Sequence, residues 1–176
     1  MSGLGGMIKE TKIELKSSGS MRLAPYGKKM VALSMYAKGK GFLGAAGALS
    51  NMGGNESVVL YLLCQGIEVT LKGLLLFKDY DKYGGSIKKL SHNLEKIIDT
   101  VLSEYNRKAL SKVHKKEIEV LNSLYSKHLL RYGTGYDIFL NPKTIPCDRT
   151  LRKFLAVTWV ADRYIGDYVN PPKKPL

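Results

Sequence analysis

Several residue types are scarce in this chain, and each scarcity excludes something. Its 176 residues contain two cysteines, Cys64 and Cys147, with no Cys-x-x-Cys spacing. Two are too few for a disulfide framework and suit a reducing compartment, with Cys64 as a small core residue. The histidines, His92, His114 and His128, are scattered, and no cluster of cysteines or carboxylates lies near them. No metal site is expected from that pattern, and no cofactor. No β-hairpin pattern and no internal repeat emerge. Acidic residues are also few, 15 against 28 Lys and Arg, for a net charge of +13. That balance favours phosphate-rich partners and is silent about the fold. The chain does not open with a basic segment followed by an apolar run, so a secretory signal is not expected and the expected location is cytoplasmic.

What the chain does have is one long apolar stretch, residues 57–77, SVVLYLLCQGIEVTLKGLLLF. Its length matches a bilayer span of about 20 residues. Tyr61, Gln65, Glu68 and Lys72, however, follow one another at helical spacings and share one face. A helix apolar around the rest of its circumference belongs inside a bundle, so no membrane is expected. Glu68 and Lys72 stand in the favourable order for an i,i+4 ion pair. Gln65, Glu68 and Lys72 are expected to line a polar seam reaching His92, Asn93 or Arg131.

Around this helix the pattern predicts an all-α fold, a single bundle of about five helices over residues 22–169. Residues 1–21 read as a flexible arm or a non-native remnant, and 170–176 as a Pro/Lys tail. The first helix begins near Pro25, which suits an opening turn. Residues 39–44 spell Gly-x-Gly-x-x-Gly, but no strand precedes them, so a dinucleotide fingerprint is not supported. Gly41, Gly44 and Gly47 read instead as a smooth helix face for close packing, and FLGAAGAL as a surface for pairing two copies. Asn55 is expected to cap the central helix. Ser91 is expected to cap a third helix carrying Leu94, Ile97, Ile98, Val101 and Leu102. A fourth spans about 106–130, and a last helix spans 149 to about 168 behind Asp148, with Leu151, Phe154, Leu155, Thr158, Ala161 and Ile165 inward.

Three segments in order, LLCQGIEVTLKGLLL, LSHNLEKII and LNSLYSKHLLRYG, together resemble the HEPN domain (higher eukaryotes and prokaryotes nucleotide-binding). Gln65, Gly66, Glu68, Leu71, Lys72, Gly73, Leu74 and Leu75 stand in that family's Gln-Ala-x-Glu-x-x-Leu-Lys helix. His92 and Leu94 stand in its His-x-Leu helix start. Tyr125, Arg131 and Tyr132 stand where the family has a Tyr ahead of Arg-Tyr-Pro. The resemblance spans roughly residues 27–168. It implies a helical bundle that pairs as a homodimer and binds RNA, a nucleotide or a partner protein. Toxin–antitoxin and phage-defence systems are typical settings. Many members are metal-independent ribonucleases built on Arg-x(4–6)-His.

Here Arg131 is followed five positions on by Tyr136, which ionises near 10 and is a poor base at neutral pH. Arg107 and His114 do fit Arg-x6-His and, on one helix, would share a face after about two turns. The expected function is therefore a non-catalytic HEPN-like module. The alternatives are a ribonuclease using Arg107 and His114, and a structural or interaction protein with incidental charge. His92 reads as a capping or packing residue, and His128 as a satisfied interior histidine. Residues 105–131 carry seven cations against Glu117 and Glu119, whereas 58–104 balance six against six. Lys108, Lys112, Lys115, Lys116 and Arg131 are thus the candidate nucleic-acid or nucleotide contacts.

Overall fold

The computed structural model describes residues 23–132, 145 and 148–169. The arm, the tail, Tyr136 and Cys147 lie outside them. The described residues form seven α-helices and no strand. They are α1 (Pro25–Asn51), α2 (Glu56–Lys78), α3 (Tyr80–Tyr83), α4 (Leu94–Glu104), α5 (Lys112–Tyr125), α6 (Leu129–Tyr132) and α7 (Asp148–Val169), with a 3₁₀ turn at Ile87–Leu90. The five long ones make an all-α bundle.

The centre is α2. From Leu63 to Phe77 every residue except Gln65 is buried, and α2 packs against each of the other α-helices. It is the only described helix long and apolar enough to cross a membrane, but 78% of that apolar window is buried inside the bundle. Burying each large apolar side chain contributes about 1.5–3 kcal/mol, so α2 is the largest single source of apolar stabilisation.

Local chemistry sets the helix ends. Pro25 occupies the first turn of α1. At the other end Gly53 takes a positive φ of 67°, and the Gly54 N–H reaches the Leu49 carbonyl at 2.9 Å, a Schellman closure. The Asn55 side chain then caps α2 by accepting from the Val58 N–H at 3.2 Å. Asn93, not Ser91, caps α4, accepting from the Lys96 N–H at 2.9 Å. Ser91 instead closes the 3₁₀ turn with a positive φ of 47°.

α1 and α2 pack antiparallel at unusually short range, through glycines other than the stripe at 41, 44 and 47. A methyl group on Gly39 would lie 2.3 Å from the Thr70 amide nitrogen, one on Gly73 2.6 Å from that of Tyr36, and one on Gly66 2.7 Å from Leu43 Cγ. The pairs 36–73, 39–70 and 43–66 step in opposite directions along the two helices, as an antiparallel contact requires. Gly41 and Gly44 face open space. In FLGAAGAL, Leu43 and Ala46 are fully buried within this chain.

Two further differences concern the second half. The fourth long helix is shorter than the pattern suggests, because Asn106 adopts φ 50° and the chain enters α5 only at Lys112. On α7, Leu151, Phe154, Thr158, Ala161 and Ile165 face inward, but Leu155 is exposed. α7 is tied to α1 through the Tyr36 hydroxyl, 2.9 Å from the Thr158 carbonyl and 3.0 Å from Asp162 Oδ1. Burial and the neighbouring Asp162 carboxylate push the Tyr36 phenol well above its usual range.

Candidate functional site

The polar face of α2 is where the bundle departs from an apolar core. Glu68 and Lys72 are both buried, one helical turn apart. The Lys72 ammonium donates to Glu68 Oε1 at 2.7 Å and to the Ser91 carbonyl at 2.6 Å. The second carboxylate oxygen, Oε2, lies 2.6 Å from the Tyr125 hydroxyl and 2.9 Å from His92 Nδ1. Tyr125 Oη also lies 2.7 Å from the Gln65 side-chain amide. A phenol has one proton, so it donates to the carboxylate, and the Gln65 amide, turned to present its NH₂, donates to the phenol. Both oxygens of Glu68 are thereby engaged, as a buried carboxylate requires.

The electrostatics follow from this. Burial acts to raise the Glu68 pKa, but hydrogen bonds from Lys72, Tyr125 and His92 outweigh it and hold the carboxyl below its ordinary range. Burial, reinforced by the Glu68 carboxylate, drives the Tyr125 phenol far up, so it stays a proton donor.

His92 bridges the seam to the surface. Its side chain is 40% exposed, and its ring packs edge-on against Tyr125 at 5.7 Å and against His128 at 5.0 Å between centroids. His128 is exposed, not interior, and sits at the break between α5 and α6 with φ 57°. Its i,i+4 relation to Leu124 suggests the core only if α5 continues, and α5 ends at Tyr125.

The structure thus brings Gln65, Glu68, Lys72 and His92 together, and adds Tyr125 and His128, which the helical spacing of α2 could not supply. The aromatic at 125 reads as core from its own helix, and its hydroxyl partner lies 57 residues away. Asn93 is spent on its cap. Asn122, also buried, accepts from the Leu94 N–H at 2.8 Å and donates to Glu95 at 2.9 Å, docking α4 on α5 beside the seam.

Arg107 and His114 do not share a helix. Arg107 lies in the segment before α5, where its N–H bonds the Leu102 carbonyl at 2.8 Å. His114 lies in the first turn of α5, with Nδ1 2.7 Å from Ser111 Oγ. The two-turn geometry that would align them is therefore absent.

The basic residues around them form a ridge. Arg107, Lys108, Lys112, Lys115 and Lys116 are all exposed, and none has a carboxylate partner among the described residues. Elsewhere lysines are paired: Lys28 with Asp81 at 2.6 Å, Lys40 with Asp162 at 2.5 Å, and Lys82 with Glu104. One of the two acids on α5 is turned away from the ridge, since buried Glu117 accepts from the Thr150 hydroxyl at 2.6 Å. Arg131 is exposed on α6. Among the described residues no cluster of His, Cys, Asp and Glu is arranged to hold a metal ion.

No family model, curated protein or solved structure matches the chain.

Proposed function

We propose that the chain is a HEPN-like helical module that binds single-stranded RNA along the basic end of α5. It does so without the Arg-x(4–6)-His arrangement of that family's ribonucleases. The observation that carries this reading is the ridge of five exposed cations, Arg107, Lys108, Lys112, Lys115 and Lys116, with no carboxylate neutralising them. Cations already paired within a fold gain little from a phosphate, whereas unpaired ones release the condensed counterions of a nucleic acid on contact. The same ridge would bind a nucleotide, but an extended polyanion engages more of it at once. The separation of Arg107 from His114 supports binding over cleavage by that pair.

The test is fluorescence anisotropy with a single-stranded RNA across a range of salt concentrations. The logarithm of the affinity should fall with the logarithm of salt by about 0.7 per phosphate contacted. Replacing Lys112, Lys115 and Lys116 together by alanine should flatten that slope. A slope near zero in the unaltered protein would show that the charge is incidental.

A further inference from the structure

The ridge leaves the histidines at the far end of α5 without a part. We infer that His92 and His128 form an acid–base pair that cleaves RNA held on that ridge without a metal ion. This rests on the RNA-binding reading and places the chemistry on residues other than Arg107 and His114.

The geometry begins with Glu68. Its Oε2 accepts from His92 Nδ1–H at 2.9 Å, which leaves Nε2 as the nitrogen that carries the lone pair in the neutral ring. Glu68 is pinned by Lys72 and Tyr125, so the ring it orients is pinned as well. A base held by a third group is the arrangement expected of an activated imidazole. His92 is nonetheless partly open to solvent, and the second imidazole, His128, is in edge-to-face contact at 5.0 Å. His128 is presented by a left-handed backbone that few non-glycine residues adopt. Arg131, exposed and just beyond it on α6, adds a cation beside the pair. The fourteen residues of α5 put the pair about 20 Å along the helix from the start of the ridge, within reach of one extended strand.

The reaction balances without a cofactor. One imidazole removes the proton of a ribose 2′-hydroxyl, and that oxygen bonds to the adjacent phosphorus. The P–O5′ bond breaks as the second imidazolium protonates the leaving 5′-oxygen. The products are a 2′,3′-cyclic phosphate and a 5′-hydroxyl, and the two rings have exchanged protonation states. His92 suits the base, because Glu68 leaves its Nε2 unprotonated. His128 then serves as the acid, and Arg131 faces the charge developing on the phosphoryl oxygens.

The experiment incubates the full chain in EDTA with single-stranded RNA, and with DNA and 2′-O-methyl RNA of the same sequence. RNA alone should be cut, giving cyclic phosphate ends. His92→Ala and His128→Ala should each lower the rate by about 10²- to 10⁴-fold. His128 is exposed, so its variant keeps the fold, and a circular-dichroism melt checks that. In Glu68→Gln the cleavage rate should fall and its pH profile shift, while RNA affinity is unchanged. RNA that binds with the expected salt dependence yet stays intact overturns this inference and leaves the binding reading standing. RNA that does not bind overturns both. Cleavage that survives in the double variant His92→Ala/His128→Ala also overturns the inference.

Discussion

At the two ends of α5 the same kind of charge lives under opposite conditions. Near its C-terminal end Lys72 is buried, with Glu68 at 2.7 Å and the Ser91 carbonyl at 2.6 Å. Near its N-terminal end Lys112, Lys115 and Lys116 stand in solvent with no carboxylate beside them. A lysine of the first kind is part of the fold, because removing either partner strands a charge in a region of low dielectric. Lysines of the second kind contribute almost nothing to stability and remain available to a partner. The net charge of +13 therefore cannot be read as a single property. Only the unpaired fraction describes what the surface attracts.

The comparison is broken most severely from the buried end. Glu68→Ala leaves Lys72 uncompensated and Tyr125 and His92 without their acceptor, and should cost about 3–5 kcal/mol, read as a lowered midpoint in urea unfolding. A change no larger than that of an ordinary surface substitution, about 0.5 kcal/mol, would mean that water reaches the pair.

A smaller effect should appear on acidification. The Glu68 carboxyl lies below its ordinary range in the folded chain, so the unfolded chain takes up its proton first. The stabilisation from this group is complete above the unfolded value of about 4.3 and is lost as pH falls through the lower folded value. Unfolding midpoints across that interval should decline in the unaltered protein and much less in Glu68→Gln.

The smallest stability effect belongs to the ridge. The alanine triple variant at 112, 115 and 116 should melt within about 0.5 kcal/mol of the parent per site, while its RNA affinity loses salt dependence. If the triple variant unfolded early, the ridge would be part of the fold and the contrast between the two ends would disappear.

The all-α class and the central helix were legible because both rest on periodicity. Gln65, Glu68 and Lys72 recur at spacings that place them on one face whatever surrounds them. The partners on that face were only partly legible. His92 follows from a nearby helix start, whereas Tyr125 comes from a helix whose own pattern makes it simply apolar, and nothing local marks its hydroxyl. The glycines illustrate the same limit. Gly41, Gly44 and Gly47 have the regular spacing, but close approach depends on what lies opposite, and that is Gly66 and Gly73 of α2 facing Tyr36, Gly39 and Leu43. The start of α5 was misplaced because Asn106 is compatible with a helix and adopts a positive φ instead.

The close contact of α1 with α2 also bears on how the chain assembles. These two helices are neighbours in sequence, joined across four residues, 52–55, so bringing them together costs little loop-closure entropy. The seam instead joins Glu68 to Tyr125 over a separation of 57 residues. We expect the hairpin of α1 and α2 to form first and to serve as the template on which α4, α5 and α7 condense. Pulsed hydrogen exchange during refolding should therefore protect the amides of residues 63–75 before those of α5. Simultaneous protection of the two helices would mean that the seam and the hairpin form in one step.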